Sequence, residues 1–188
     1  MKRTSLRIAV ILLAMASVST LAAAQLNSGA QTITLNATLA ESLTLSLSAN
    51  AVNFTLAAGS AANAGSTNIT ATTTWVLKPG RTAVGVYAYF ASSAAALTDG
   101  AGDNIPSADF AISDNGGAST PLTNTVPAGG GFGAANAGLQ LANVAITGLN
   151  KSSSRTDAMA FNINLSSLPQ LPAATYTGTL NIQAQATP

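Results

Sequence analysis

The chain has 188 residues, contains no cysteine and no histidine, and has only 7% charged residues, with a formal net charge of +1 at pH 7. The missing thiols and imidazoles exclude disulfides, the Ser-His-Asp and Cys-His nucleophile systems and the usual zinc ligands. So low a charge density also argues against nucleic acid as a partner, because phosphates are bound by clustered Lys and Arg.

The first 24 residues have the pattern of a secretory signal peptide. Three basic residues among the first seven precede an apolar run over residues 8–16, and three alanines at 22–24 supply a small-residue cleavage site. The apolar run is shorter than the about 20 residues that a membrane span needs. We therefore expect cleavage of residues 1–24, export, and one mature domain over residues 25–188 without a membrane span.

Alternation of apolar and polar residues dominates the start of the mature chain. Over residues 31–48 most apolar side chains fall on odd positions, which is typical of strands with one buried face. Glu41 interrupts this series, so we expect a bend or bulge there between two strand segments. The alternating apolar side chains of the first segment, residues 25–39, are Ile33, Leu35, Ala37 and Leu39.

The next strands are separated by clear turn signals. Residues 69–77 alternate again and end at the Lys-Pro-Gly turn of residues 78–80, which predicts a hairpin with residues 82–90 as its second arm. This second arm is apolar on both faces, because Tyr87 and Tyr89 lie opposite its valines. We expect that a loop or a neighbouring subunit covers the two tyrosines.

The remaining sequence combines long loops with short strands. Residues 91–104 and 113–138 are rich in Gly, Ala, Ser and Asn, which predicts loops, and residues 148–155 predict a polar turn. Alternating segments near residues 110–112, 139–146, 159–165 and 176–186 bring the total to roughly eight strands with no helix. The expected fold class is therefore all-β, an antiparallel two-sheet sandwich with long Gly/Ala/Ser-rich loops.

The remaining polar and aromatic side chains do not indicate a catalytic site. Asp99 and Asp103 lie in a loop without the ligand spacing of an EF-hand, so an ordinary turn is favoured over a calcium site. No pair of acids is placed by the sequence for glycoside hydrolysis. Trp75, Tyr87 and Tyr89 are interpreted as core or interface aromatics in preference to a sugar-stacking platform. We predict that the protein is not an enzyme and uses no metal or cofactor.

Three stretches of the chain resemble one group of secreted proteins. They are TLNATLAESLTLS with VNF (residues 34–46 and 52–54), STNITATTT (66–74) and LPAATYTGTLNIQA (171–184), and they are similar to spore coat protein U and chaperone-usher pilin domains. The resemblance implies an immunoglobulin-like sandwich that ends at its sixth strand, with a groove that a strand from another subunit fills. A cysteine pair common in that family corresponds here to Leu43 and Thr73.

Together, the sequence and the resemblance lead to the expectation of a structural subunit of an extracellular fibre, pilus or coat at the bacterial cell surface. Its partners would be further copies of the chain, joined by donor-strand exchange through residues 25–39, and a periplasmic chaperone. Two alternatives stay open. Residues 33–39 can be the first strand of a self-contained sandwich, and the protein can be an autonomous adhesion or carbohydrate-binding module.

Overall fold

The computed structural model describes residues 28–188, so the expected signal peptide lies outside the described residues. The chain divides into two compact units, Met1–Thr38 and Leu39–Pro188. In the first unit, residues 28–38 form no strand and their side chains are exposed, with Ile33 at 85% and Leu35 at 88%. The strand expected within residues 31–39 is therefore not formed, because alternation supplies a face to bury but no partner to bury it against.

The second unit is all-β and is built from two main antiparallel sheets. The larger sheet has the strand order β1-β3-β10-β7-β8, with β2 on β10, and the smaller has the order β11-β4-β9, while β5 and β6 pair separately. The single helical element in residues 28–188 is a 3-10 turn, Ser107–Asp109. In chain order the strands are β1 (Ser42–Leu47), β2 (Asn63–Ala64), β3 (Ile69–Val76), β4 (Ala83–Tyr89), β5 (Leu97–Thr98), β6 (Asn104–Ile105), β7 (Phe110–Asp114), β8 (Thr120–Pro121), β9 (Gly138–Ala145), β10 (Ser152–Ile163) and β11 (Asn181–Thr187).

Strand β3 confirms the predicted alternation of residues 69–77. Its odd-numbered side chains are buried, and it pairs with β1 on one side and β10 on the other. The chain then turns at Lys78–Gly80, where Gly80 has a φ of +97°, a backbone conformation that glycine adopts without a steric penalty.

The predicted hairpin of β3 and β4 is wrong. The two strands lie in different sheets, since β4 pairs with β11 and β9, and the turn of residues 78–80 carries the chain from one sheet to the other. The physical reason is that β4 is apolar on both faces. Such a strand is favoured at the centre of a sheet covered on both sides, and a turn signal does not specify which sheet the next strand joins.

The core between the sheets is formed by two apolar clusters. In the larger one Phe110 contacts three other rings, with centroid distances of 5.1 Å to Phe90, 5.9 Å to Phe54 and 6.0 Å to Phe161. Edge-on and tilted ring pairs of this kind add to the stabilisation from burial. The smaller cluster is formed by Trp75, Leu77 and Val84, with Leu43 and Ala186 among the residues packed against it.

A polar group on β3, β10 and β7 adjoins these clusters. Asp157 is fully buried, and its Oδ1 accepts a hydrogen bond from the Nε of Arg155 at 2.6 Å and one from Asn115 at 3.3 Å. Asp114 lies 3.8 Å from the Arg155 guanidinium. Burial, and then repulsion by Asp157, raise the pKa of Asp114. Thr73, on the facing position of β3, is also fully buried.

The outer face of β4 is covered by the long loop before β9. Phe132 in this loop contacts both tyrosines of β4, with centroid distances of 5.6 Å to Tyr87 and 5.7 Å to Tyr89. Tyr87 is 6% exposed, and the Tyr89 hydroxyl donates to Gln183 on β11. Of the two expected covers, the structure shows the loop, and a role of these tyrosines in a subunit interface stays a prediction.

Candidate functional site

A groove of about 830 Å³ opens between the end of β1 and the segment that leads into β11. Residues 49–58 form one wall and residues 171–180 the other. Between the walls the groove is lined by half-buried apolar side chains that pack against the larger core cluster. These side chains include Val52, Phe54, Leu56, Leu180 and Ile182.

The groove lies where both sheets end. β1 is the outer strand of the larger sheet and β11 is the outer strand of the smaller one. Both strands are described in full, and no backbone hydrogen bond joins them. Unpaired strand edges present rows of amide and carbonyl groups that can pair with an added strand.

The open edge of β1 can be assigned residue by residue. Ser48, directly after β1, donates its backbone N–H to the Thr70 carbonyl at 2.9 Å, so even-numbered residues direct their backbone groups to β3. The backbone groups of the odd-numbered residues Leu43, Leu45 and Leu47 consequently point to the groove side. Leu47 is 42% exposed, which shows how incompletely the inner face of β1 is covered.

The open edge of β11 follows from the same reasoning. The Thr187 carbonyl accepts from the Thr82 N–H at 3.0 Å and so points to β4. Even-numbered residues of β11 therefore direct their backbone groups away from β4, towards β1. These residues are Ile182, Ala184 and Ala186.

An ion pair lies at the other end of the space between β1 and β11. Glu41, directly before β1, accepts from the Arg81 Nε at 2.8 Å and from its Nη2 at 3.2 Å, and Lys78 lies 3.8 Å away. The hydrogen bond from Arg81 lowers the pKa of Glu41. Arg81 also donates from Nη1 to the Ala186 carbonyl at 3.2 Å, so it bridges the segment before β1 and the end of β11. We call Glu41 and Arg81 the edge clamp.

The predicted donor residues form no strand in the structure. Ile33, Leu35 and Ala37 lie in residues 28–38, and Leu39, the first residue of the second unit, is 84% exposed. All are available to a partner because none is buried. Residues 25–27 lie outside the described residues.

The resemblance to pilin domains implies a groove, but the sequence does not predict which residues line it. Its walls include Val52 and Phe54, which alternate as strand residues do but form only one bridge, between Phe54 and Gly65. The wall of residues 171–180 precedes a strand that begins five residues later than Tyr176, where the sequence placed it. The only signal in the sequence is the alternation of Val52, Phe54 and Leu56.

The acidic loop at Asp99 and the two positions that match the family's cysteine pair lie outside the groove lining. Asp99 Oδ1 accepts from three backbone N–H groups, of Ala101, Gly102 and Asp103, as in a tight turn. Within residues 28–188 no group of three or more acidic side chains is placed to hold a metal ion. Of the positions that match the family's cysteine pair, Leu43 lies opposite Trp75 and Thr73 opposite Leu45 on the neighbouring strand.

No protein-family model, curated protein or solved structure matches this chain. The resemblance to spore coat protein U and pilin domains therefore stays a prediction. The functional proposal below rests on the groove, the two open strand edges and the exposed N-terminal segment.

Proposed function

We propose that this protein is a secreted structural subunit of an extracellular fibre, pilus or coat. Residues 25–39 of one copy add as a strand to the groove of the next copy and complete an immunoglobulin-like sandwich there. A periplasmic chaperone would shield the groove before assembly. The observation that carries the proposal is the pair of open edges, β1 and β11, beside an apolar groove.

An added strand would form hydrogen bonds with the backbone N–H and C=O groups that β1 and β11 leave unpaired. Backbone groups of alternate residues on β1 and on β11 point into the space between the two strands. Some Cα atoms of β1 and β11 lie within 8 Å of each other, closer than the about 9.6 Å that an inserted strand requires, so one added strand fits only where the groove separates the two edges. Strand addition of this kind draws its affinity from main-chain hydrogen bonds and its specificity from side-chain pockets. The apolar groove supplies such pockets.

The N-terminal segment has the composition that the groove requires. Its apolar residues alternate with Thr34, Asn36 and Thr38, so one face of an added strand would contact the core and the other would face water. Burying a Leu or Ile side chain that is exposed is worth about 1.5–3 kcal/mol. Ile33 and Leu35 are almost fully exposed and so have this free energy to gain.

A second copy is a better source of the strand than the same chain. For residues 33–39 to fold back beside their own β1, the chain must reverse within residues 39–41, Leu-Ala-Glu. This tripeptide contains none of the Gly, Pro, Asn, Asp or Ser residues that favour tight turns. Glu41 is in addition held by Arg81, which restricts the backbone at that point.

Deletion of residues 25–35 from the mature chain tests the proposal. We expect the mature protein to form oligomers that light scattering after size exclusion and electron microscopy detect, and the deletion variant to be a monomer. A matched pair of substitutions localises the effect. Leu35→Asp, on the apolar face, should abolish assembly, whereas Asn36→Asp, on the polar face, should retain it.

Assembly that survives the deletion unchanged would contradict the assignment of residues 25–39 as donor. A mature chain that stays monomeric at every concentration would instead favour the autonomous module. Such a module would need a ligand site of its own, and Tyr87 and Tyr89 offer little open surface for one because Phe132 packs on both.

A further inference from the structure

The period of the donor segment leaves the register of an added strand unspecified. A slip by one residue would turn the apolar side chains outward and is excluded. A slip by two residues keeps them inward, because Ile33, Leu35, Ala37 and Leu39 are evenly spaced. Some feature of the groove must therefore select among registers that the alternation alone makes similar.

The edge clamp occupies a position on the ladder that an added strand would use. Because the Ala186 carbonyl points away from β4, it is an acceptor on the open edge of β11. Arg81 Nη1 already donates to this carbonyl at 3.2 Å. A strand added to β11 can therefore pair at Ile182 and Ala184 but meets a guanidinium at Ala186.

Glu41 holds the guanidinium in this place. Two hydrogen bonds, of 2.8 and 3.2 Å, join the carboxylate to Nε and Nη2 of Arg81, which leaves Nη1 directed to Ala186. Such a two-point contact fixes the planar guanidinium in orientation as well as position. Lys78 contacts Glu41 at 3.8 Å, but its side chain is 64% exposed and contributes only charge.

We propose that Arg81, oriented by Glu41, is the stop that ends the added strand at Ala184 and thereby sets its register. This inference rests on the proposed function. It assigns to the clamp a positioning role, so that loss of the clamp should change where the donor pairs before it changes whether the donor binds.

Disulfide trapping in the full mature chain reads the register directly, because the chain contains no cysteine of its own. Gln183→Cys on the outer face of β11, between the two pairing positions Ile182 and Ala184, is combined in three separate chains with Thr34→Cys, Asn36→Cys or Thr38→Cys on the polar face of the donor. Cross-strand neighbours lie within the Cα distance that a disulfide spans. Covalent multimers on a denaturing gel then identify the donor residue nearest to position 183.

With the clamp intact, we expect one of the three donor cysteines to give most of the covalent multimer. Adding Arg81→Ala, or Glu41→Gln as a second variant, should move the dominant product by two residues. Lys78→Ala is the matched control, since it removes a positive charge beside Glu41 but no contact with Ala186, and it should leave the dominant product unchanged.

The two proposals fail in different ways. An unchanged dominant product in the Arg81 and Glu41 variants would overturn the stop, while the multimers themselves would still support strand addition. The absence of intermolecular disulfides for all three donor positions with the clamp intact would overturn strand addition, and the stop with it.

Discussion

Strands β4 and β1 both direct apolar side chains inward but are covered to opposite extents. In β4 five of the seven residues are buried, because the core covers one face and Phe132 covers the other. In β1 no residue is buried, and even the inward-facing Leu43 and Leu45 are only half-buried. The difference follows from position, since β4 is the centre of its sheet and β1 is an edge beside the groove.

The comparison separates two properties that a period-two pattern combines. Alternation determines which side chains can be buried together, and the neighbouring strand and layer determine whether they are. An apolar sheet face that no other layer covers can bind an added strand when the sheet also has an unpaired edge beside it. We therefore expect side-chain truncation to lower the free energy of unfolding more on β4 than on β1.

The largest effect is expected at the covered end of β4. Phe90 follows β4 directly, is 3% exposed, and packs edge-on against Phe110. Phe90→Ala should lower the free energy of unfolding by about 3–5 kcal/mol, because it leaves a cavity in a closed core. Chemical denaturation of the mature chain measures this, and a loss below about 1 kcal/mol would mean that the β4 side of the core is not closed.

A smaller effect is expected on the outer face of β4. The Tyr87 ring lies directly over Gly85, where an added Cβ would collide with it. Gly85→Ala should displace Tyr87 from Phe132 and cost about 1–3 kcal/mol, as overpacking does. Gly80→Ala would not be a fair control because of its positive φ, whereas Gly148→Ala, with open space around the new Cβ, should cost much less. Near-ultraviolet circular dichroism should report the changed tyrosine packing, and an unchanged spectrum would contradict the assignment.

The charged group in the sandwich predicts a pH dependence of defined sign. Burial and Asp157 raise the pKa of Asp114, so the folded chain binds this proton more tightly than the unfolded chain. Its contribution to stability is present at low pH and is lost as the pH rises through the raised pKa. Asp114→Asn should therefore stabilise the protein relative to the wild type more at neutral pH than at pH values below 3.8, the ordinary pKa.

Asp99 supplies the opposite sign within the same chain. Backbone N–H groups, that of Ala101 first, lower its pKa, so its contribution is present at neutral pH and is lost as the pH falls through the lowered value. Asp99→Asn should thus destabilise the protein at neutral pH and have less effect in acid. Denaturation midpoints over a pH series measure the stability of each variant relative to the wild type. If this relative stability changed with pH in the same direction for both variants, the environment assigned to Asp114 would be contradicted.

The local alternation of apolar residues was sufficient to predict the positions of most of the long strands. β3, β4, β7 and β9 lie where their alternation predicts, because each has an apolar face that the opposite sheet covers. The start of β10 differs from the prediction, because residues 152–155 are polar and belong to the predicted turn of residues 148–155. They form strand because they pair with β3 over the full register from Val76.

The position of the groove and its lining residues could not be predicted, because they depend on which strands become edges. Nothing local to β3 and β4 indicates that the turn of residues 78–80 joins two sheets. Once that crossing is known, β1 and β11 face each other unpaired, and the edge clamp between them becomes visible. In the sequence Glu41 shows only as an interruption of the apolar series, and no local pattern pairs it with Arg81.

The smallest effect on folding is expected on β1, and it is also the most discriminating. Leu47 lines the groove and is 42% exposed, so Leu47→Ala should cost about 0.5–1 kcal/mol in the free subunit. The same change removes a contact for the added strand and should weaken assembly about three- to tenfold, as sedimentation at graded concentrations would show. Ser46→Ala, on the outward face of the same strand, should change neither quantity. A loss of stability as large as that of Phe90→Ala would mean that β1 is covered before any partner binds, and the contrast with β4 would then have no functional meaning.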